Sequence, residues 1–184
     1  MMKKMLFCFL FTVCGLLRAE VRELHSAVGF DGTSTLHDFH GAGKLTPQDV
    51  EWEPLAEGGI LTAHKITLKV SDLTTDHKKR DRNMMKMFDP ESYPQIQADI
   101  SGWTLPGSGS EENLLTLHIH GKEVTVPVLL SDYEDKAGVI HFTCSFTVSL
   151  KEADLKRPSV LGLIRVGDEV KVVVESELTL PEAN

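Results

Sequence analysis

From Glu20 onward, apolar and polar residues alternate along the chain, and the three-to-four-residue spacing of amphipathic helices is rare. The clearest alternation covers residues 140–150, where six apolar side chains occupy every second position and five polar ones lie between them. Less extensive alternation covers residues 60–70, 115–119, 124–130 and 170–180. Because successive side chains of a strand point to opposite faces of the sheet, each segment predicts a β-strand with one buried and one wetter face.

Short turns rich in glycine separate these predicted strands. They lie at residues 58–59, 106–109, 121–122, 135–138 and 167–168. Connections this short favour antiparallel neighbours, because parallel strands need a crossover of about a dozen residues or more. Many one-faced strands in one domain-sized chain predict a β-sandwich or a closed barrel, and a barrel of about eight strands has room for one small ligand.

One segment, residues 77–87, departs from the alternation, because it is polar and basic at first and rich in methionine towards its end. We predict a short helix here, capped at its N-terminus by the side chain of Asp76 and ended by Pro90. Three apolar side chains would share one face of this helix: Met84, Met87 and Phe88. Such a stripe is more often core packing than a surface that contacts a ligand.

The first nineteen residues have the organisation of a secretory signal peptide. Two lysines precede an apolar run of about 13 residues, which is shorter than the roughly 20 that a membrane-spanning helix needs. We expect cleavage after Ala19, so that residues 20–184 form one mature domain that is periplasmic or secreted. Cys14 would mark a lipoprotein instead, but Val13 before it is larger than the residue normally found there.

The expected mature domain is more acidic than the full chain. The full chain of 184 residues has 19 basic and 27 acidic side chains and a formal net charge of −8. The signal segment holds three basic residues (Lys3, Lys4 and Arg18) and no acidic one, which leaves 16 against 27 and a net charge of −11. So acidic a domain is not expected to bind nucleic acid, which needs a basic surface. Cys144 is then the single cysteine of the mature chain, so no internal disulfide can form.

Several motifs follow one another along the mature chain. They are Phe-Asp-Gly-Thr-Ser-Thr-Leu-His-Asp-Phe-His-Gly at residues 30–41, the strand at 66–75, Lys79-Arg80-Asp81, Met87-Phe88-Asp89, Tyr93-Pro94, residues 117–122 with 126–128, and residues 146–174. In this order and at this spacing they resemble the YceI-like family of secreted lipid- or polyisoprenoid-binding proteins. The chain departs from longer members of the family in its shorter helical insert and in Asn83, where those members often carry His.

The resemblance implies an all-β fold, a lipocalin-like antiparallel β-barrel of about eight strands with one short helical insert and an elongated apolar cavity. It also implies a long-chain amphiphile as the ligand: a polyisoprenoid, an isoprenoid quinone precursor or a fatty-acid-like lipid, bound in the periplasm. No cofactor follows from it, and contact with a membrane surface and formation of a dimer are both compatible with it.

We expect inward-facing strand residues to line the cavity, together with the methionine-rich end of the helix, since methionine adapts to irregular apolar shapes. The predicted lining residues are Ile66, Leu68, Met84, Met85, Met87, Phe88, Val126, Val128, Phe142, Cys144 and Phe146. Taken singly, each of these residues could as well fill a solid core, whereas the family resemblance favours a cavity for the set.

Basic side chains are locally clustered in this acidic chain. Three of them are candidates for contact with an anionic headgroup: Lys79, Arg80 and Arg157. For the helix, the alternative is a solvated face with local ion pairs. The loop at residues 157–163 carries apolar residues and is a candidate lid over the cavity mouth, because loops often carry function on such scaffolds.

Signatures of catalysis and metal binding are weak. His118 and His120 would share one strand face, but Leu117 and Ile119 take the buried positions, so the pair would face outward and no metal site is expected. Cys144 lies between two phenylalanines, where a thiol is inert, and no nucleophile elbow, phosphate loop or dinucleotide motif is present. We therefore expect a binding protein rather than an enzyme. A hydrolase or isomerase acting in the same cavity, and a cavity-free module that binds an envelope protein, are the alternatives.

Overall fold

The computed structural model describes residues 19–157, 159–160 and 164–180. The strands are β1 (Glu20–Ser34), β2 (Phe39–Lys44), β3 (Gln48–Pro54), β4 (Gly59–Lys69), β5 (Gln95–Leu105), β6 (Glu111–Ile119), β7 (Lys122–Lys136), β8 (Val139–Ser149), β9 (Ser159–Val160) and β10 (Ile164–Thr179). A 3-10 turn at Val70–Asp72 and the helix α1 (Lys78–Phe88) lie between β4 and β5. The predicted signal peptide, except for Ala19, lies outside the described residues.

Eight strands close into an antiparallel barrel in the order β1-β3-β4-β5-β6-β7-β8-β10, and β10 pairs again with β1. This closing ladder is long, since it runs from Glu23 opposite Thr179 to Gly32 opposite Val170. β2 continues the line of β3 along β1, and the break between them lies near Pro47, which has no amide proton to donate. The predicted antiparallel barrel of about eight strands with one short helix is confirmed, and the sandwich alternative is wrong.

The segments predicted from alternation correspond to β4, β6, β7, β8 and β10. Strand β5 was not among the predicted strands, because the set of residues that points inward changes partway along it. Its inward side chains include Ile96, Ala98 and Ile100, but beyond Gly102 they are Trp103 and Leu105. Gly102 has a left-handed φ of 63° and lies where the register with β4 slips, so the inward parity changes within the strand.

Helix α1 begins one residue later than predicted and is capped differently. The N-cap is His77, whose Nδ1 accepts a hydrogen bond from the backbone N–H of Arg80 at 3.3 Å. Asp76, the predicted cap, lies before it with a left-handed φ of 55°. At the C-terminal end Asp89 adopts a φ of 48°, and Pro90 follows as predicted. No helix among the described residues is both long and apolar enough to cross a bilayer.

Side chains fill one end of the barrel. Six residues on six strands are at most 2% exposed there: Trp52, Leu61, Leu105, Leu130, Ile140 and Leu178. At the rim, Arg22 of β1 is buried, and its guanidinium donates hydrogen bonds to the carbonyl of Gly138 at 2.5 Å and to Glu20 Oε1 at 2.7 Å. We call these six residues and Arg22 the closed end of the barrel.

Candidate ligand-binding cavity

A cavity of about 460 Å³ lies between the closed end and helix α1. Its wall is formed by inward-facing residues of β1, β4, β5, β6, β8 and β10, while α1 and the segment before β2 surround its opening. None of the six apolar residues of the closed end lines it. The volume is in the range of roughly 300–1,000 Å³ that small-molecule sites occupy. The interior is therefore solid at one end and hollow at the other.

Most of the predicted lining residues meet at this cavity. Eight of the eleven contribute to its wall: Ile66, Leu68, Met84, Met87, Phe88, Phe142, Cys144 and Phe146. Those on strands share the buried face, as their alternation indicated, and Met84, Met87 and Phe88 form the inner face of α1. Residues predicted from two kinds of periodicity are thus brought together around one space.

The structure corrects the prediction for three residues. Val126 and Val128 are buried on β7 but do not line the cavity, because β7 lies between strands with longer side chains. Val126 pairs with Leu115 of β6, and Val128 pairs with Phe146 of β8; these longer neighbours reach the cavity instead. Met85 is half-buried and packs against the core from beside the inner face of α1.

Much of the wall was not predicted from the sequence. β1, β5 and β10 supply many lining residues, among them Val28, Phe30, Ile96, Ile100, Val170, Val172 and Val174. The alternation in β10 could have revealed its valines as inward-facing. In β1, however, Arg22 and Ser26 occupy inward positions, so the apolar pattern that would identify the strand's buried face is interrupted.

One polar pair interrupts the apolar wall. Ser26 of β1 and Ser176 of β10 lie directly opposite each other, both are buried, and their hydroxyl oxygens are 2.9 Å apart. One hydroxyl donates to the other, which satisfies part of the hydrogen-bonding need of two buried polar groups. The pair offers no charged group to a ligand, so the inner cavity remains suited to an apolar chain.

Polar side chains gather instead at the mouth of the cavity. Those that line it are Ser34, His37, Thr75, His77, Lys79, Arg80 and Asn83, and Gln97 of β5 is a further polar lining residue. The guanidinium carbon of Arg80 lies 5.1 Å from the centre of the Phe39 ring, close enough for a cation–π contact. The headgroup candidates Lys79 and Arg80 are therefore both at the opening.

Helix α1 carries five basic side chains. They are Lys78, Lys79, Arg80, Arg82 and Lys86. Within the part of the chain that the structure describes, none of them forms an ion pair within 4.0 Å. The alternative of local ion pairs along this face is thus not seen there, and α1 places unpaired positive charge at the mouth of an acidic protein.

A carboxylate fixes α1 to the segment before it. Asp81 accepts hydrogen bonds from the Thr75 hydroxyl at 2.5 Å, the Thr75 backbone N–H at 2.8 Å and the Thr74 hydroxyl at 3.2 Å. The Thr75 hydroxyl is the main cause of a lowered pKa for Asp81; desolvation opposes it, and the two other donors add to the lowering. The mouth helix is therefore held in place by an ionised side chain.

Arg157, the third headgroup candidate, does not line the cavity. Its Nε lies 3.8 Å from Asp168 Oδ1, so its charge is already close to a carboxylate. The candidate lid at residues 157–163 lies largely outside the described residues, since 158 and 161–163 are not among them.

Cys144 forms part of the cavity wall as a free thiol. Burial raises its pKa to about 12, because a thiolate would lose its hydration in the apolar interior. At neutral pH the side chain is protonated, and it contributes as a small apolar group rather than as a nucleophile.

His118 and His120 are engaged separately on the outside of the barrel. Nε2 of His118 lies 2.8 Å from Asp99 Oδ2, whereas the His120 ring lies 4.3 Å from the ring of Tyr93, centroid to centroid. The pKa of Asp99 is lowered, first because the backbone N–H of Lys65 donates to it at 2.9 Å and second because of His118. Among the described residues, no three His, Cys, Asp or Glu side chains are placed to hold a metal ion.

Solved structures share this architecture at low sequence identity. BcnA of Burkholderia cenocepacia is 19% identical with a TM-score of 0.66, and the alignment covers 83% of this chain and 95% of that one. A polyisoprenoid binding domain from Saccharophagus degradans, implicated in plant cell wall breakdown, is 12% identical with a TM-score of 0.56 and coverage of 88% and 100%. A mutant YceI protein of Campylobacter jejuni is 16% identical with a TM-score of 0.57 and coverage of 77% and 85%.

At these identities the likeness is one of fold, a lipocalin-like barrel. Among curated proteins, none matches the chain in sequence. The sequence profile of the YceI-like domain, in contrast, matches residues 20–178, which include all the strands of the closed barrel except the last residue of β10. The chain therefore belongs to the YceI-like family.

Proposed function

We propose that this protein binds a long-chain amphiphile, with the apolar chain in the barrel cavity and the polar headgroup at the mouth beside α1. The observation that carries the proposal is the division of the cavity of about 460 Å³ into an apolar interior and a polar, basic opening. Ligand sites commonly combine apolar walls with a few well-placed polar groups. An amphiphile has the same division along its length.

Burial of the chain supplies the driving force for binding. Apolar surface that leaves water gains roughly 25 cal/mol per Å², or about 0.8 kcal/mol for each methylene. Ten buried methylenes would then contribute about 8 kcal/mol before the cost of association is subtracted. The interior is suited to this gain, because its one hydroxyl pair, Ser26 and Ser176, is internally hydrogen-bonded.

The ligand class we propose is a polyisoprenoid, an isoprenoid quinone precursor or a fatty-acid-like lipid. Membership of the YceI-like family supports this class. So does the fold shared with the Saccharophagus degradans domain, which is itself described as polyisoprenoid binding. The cations at the mouth favour a ligand with an anionic headgroup, and the same face would contact an anionic membrane surface during loading.

The proposal describes a binding protein without catalysis. Cys144 has a pKa of about 12 and is therefore a protonated thiol at neutral pH. The hydroxyls of Ser26 and Ser176 lie against each other, whereas a serine nucleophile needs an adjacent general base. These two observations support a role for the interior in holding a molecule rather than transforming it.

Export to the periplasm or the outside of the cell is part of the same proposal, supported by the signal-like segment at residues 1–19. Mass analysis of the protein from a fractionated host would test it. We expect an intact mature chain that begins near Glu20 in the envelope or secreted fraction. Full-length protein that stays in the cytoplasm would contradict it.

Two neighbouring valines of β10 provide a test of the cavity. Val172 is half-buried and lines the cavity, whereas Val173 lies on the opposite face and is 40% exposed. We expect Val172→Phe to fill part of the cavity and to weaken binding of a fluorescent fatty-acid analogue at least tenfold. The matched control Val173→Phe should bind like the wild type. Equal binding by both variants, or no binding by the wild type, would overturn the proposed function.

A further inference from the structure

We infer that Trp103 forms the floor of the cavity and sets the length of apolar chain that the cavity can bury. The inference rests on the proposed function and names the residue that selects the ligand's chain length within its class. The argument depends on the packing of the closed end and on how Trp103 is held.

The closed end prevents a longer chain from passing through the barrel. Trp52 and Leu61 pair across β3 and β4, and both are at most 2% exposed. A Cβ atom on Gly59 would lie 2.2 Å from the Trp52 ring, so the indole is already in close contact with the backbone. At the rim, Arg22 is buried and its guanidinium is hydrogen-bonded to Gly138 and Glu20.

Trp103 separates this packed end from the cavity. It is 3% exposed, it lines the cavity, and it pairs with Leu61 of the closed end. Its indole N–H donates a hydrogen bond to the carbonyl of Leu114 on β6 at 2.7 Å. The ring is therefore anchored at the bottom of the cavity, and its size, together with that of Ile100 nearby on β5, determines how deep a chain can go.

Binding of saturated fatty acids with 10 to 22 carbons to the mature wild-type protein tests the inference. Each added methylene that is buried should tighten binding about fourfold. We expect this gain to stop within the series, at the chain length whose end reaches the floor. A gain that continues undiminished to the longest chain would overturn the inference while leaving the proposed function intact. If no chain binds, both are overturned.

Variants at Trp103 and Ile100 test which residue sets the longest chain that the cavity can bury. We expect Trp103→Leu to move the limit about two carbons higher, because the smaller side chain leaves more space. The matched control Trp52→Leu makes the same change in a residue that does not line the cavity, so its limit should not move. Ile100→Phe adds bulk at the wall and should lower the limit, which keeps the test valid if Trp103→Leu does not fold. Limits unchanged by both cavity variants would contradict the role of the floor.

Discussion

At the scale of single residues, Cys144 reports most directly on the state of the cavity. It lies between Phe142 and Phe146 on the inward face of β8, and all three side chains line the cavity. Its thiol has a pKa of about 12, four units above a labelling pH of 8. Only about one thiol in ten thousand is then ionised, and the remaining barrier is access through the mouth.

We expect Cys144 in the folded mature protein to react with a thiol reagent at pH 8 at least a hundred times more slowly than in the denatured chain. A bound fatty acid should slow the reaction further, because it fills the space in front of the sulfur. The rate of labelling by mass spectrometry measures both effects. Native labelling as fast as denatured labelling would show that the thiol is not buried as described.

Asp81 provides a second prediction at this scale, since its carboxylate accepts three hydrogen bonds from Thr74 and Thr75. Its folded pKa lies below the ordinary 3.8, so its stabilising effect is present above about pH 4 and is lost as the pH falls through the folded pKa. We expect Asp81→Asn to lower the free energy of unfolding by about 1–2 kcal/mol at pH 7.

Urea unfolding at pH 7 and near pH 2 would check this prediction. The difference between Asp81→Asn and the wild type should shrink as the pH is lowered, because protonation of the wild-type carboxyl removes its stabilising effect. Asp76→Asn is the control, because Asp76 is exposed beside the same helix. A difference that stays constant with pH would contradict the proposed role of the ionised carboxylate.

The sequence correctly predicted which of these side chains point inward, but it predicted only part of the cavity lining. Alternation correctly indicated that Val126, Val128 and Phe146 point away from solvent, but only Phe146 lines the cavity. The distinction depends on which longer side chains lie across neighbouring strands, and those pairings join residues far apart in sequence. Local periodicity carries no information about such neighbours.

At the scale of elements, α1 determines the chemistry of the mouth. It places Lys79 and Arg80 on the lining of the opening, whereas Lys78 and Arg82 lie on the same helix but do not line it. A charged headgroup at the mouth would therefore interact more closely with the first pair than with the second.

We expect the double substitution of Lys79 and Arg80 by Gln to weaken binding of hexadecanoate up to about fivefold at low salt. The effect is modest because ion pairs at a partly solvated opening contribute little and are screened by salt. Binding of the uncharged hexadecanol should not change. The same substitution of Lys78 and Arg82 is the matched control and should have a smaller effect. An equal loss for the acid and the alcohol in calorimetric titrations would show that the change acts through packing and not through charge.

The start of β4 supports a stability prediction, because Gly59 leaves room for the ring of Trp52. A Cβ atom at Gly59 would meet that ring at 2.2 Å and the Glu53 carbonyl at 2.7 Å. We expect Gly59→Ala to cost about 1–3 kcal/mol of stability, measured by thermal and urea unfolding. Gly29→Ala in β1 is the control, since its nearest neighbour would be 3.8 Å away. Similar losses in both variants would contradict the close packing of the closed end.

Elements were predictable wherever one periodicity ran without interruption. The alternation of β8 continues through the whole strand, whereas the bulge at Gly102 changes the inward parity of β5 and hides it from a search for period two. The helix was predicted from its change of pattern, but its cap was not, because His77 acts through a ring nitrogen in place of the usual short oxygen-bearing side chain.

At the scale of the whole molecule, the barrel has two unlike ends. One end is filled by large apolar side chains and Arg22, and the other opens beside a basic helix in a domain whose expected mature net charge is −11. The barrel itself could be predicted from alternation and from the family resemblance. The depth of its cavity could not, because it depends on how Trp103 packs against Leu61 of the closed end after distant strands have closed.

The central claim is that this interior holds the chain of an amphiphile. Native mass spectrometry of the mature protein, purified from its own host and then titrated with hexadecanoate, tests it most directly. We expect a one-to-one complex, either with a co-purified lipid that is lost on denaturation or with the added hexadecanoate, and Val172→Phe should reduce it. Protein that shows only its own mass throughout the titration would contradict the claim.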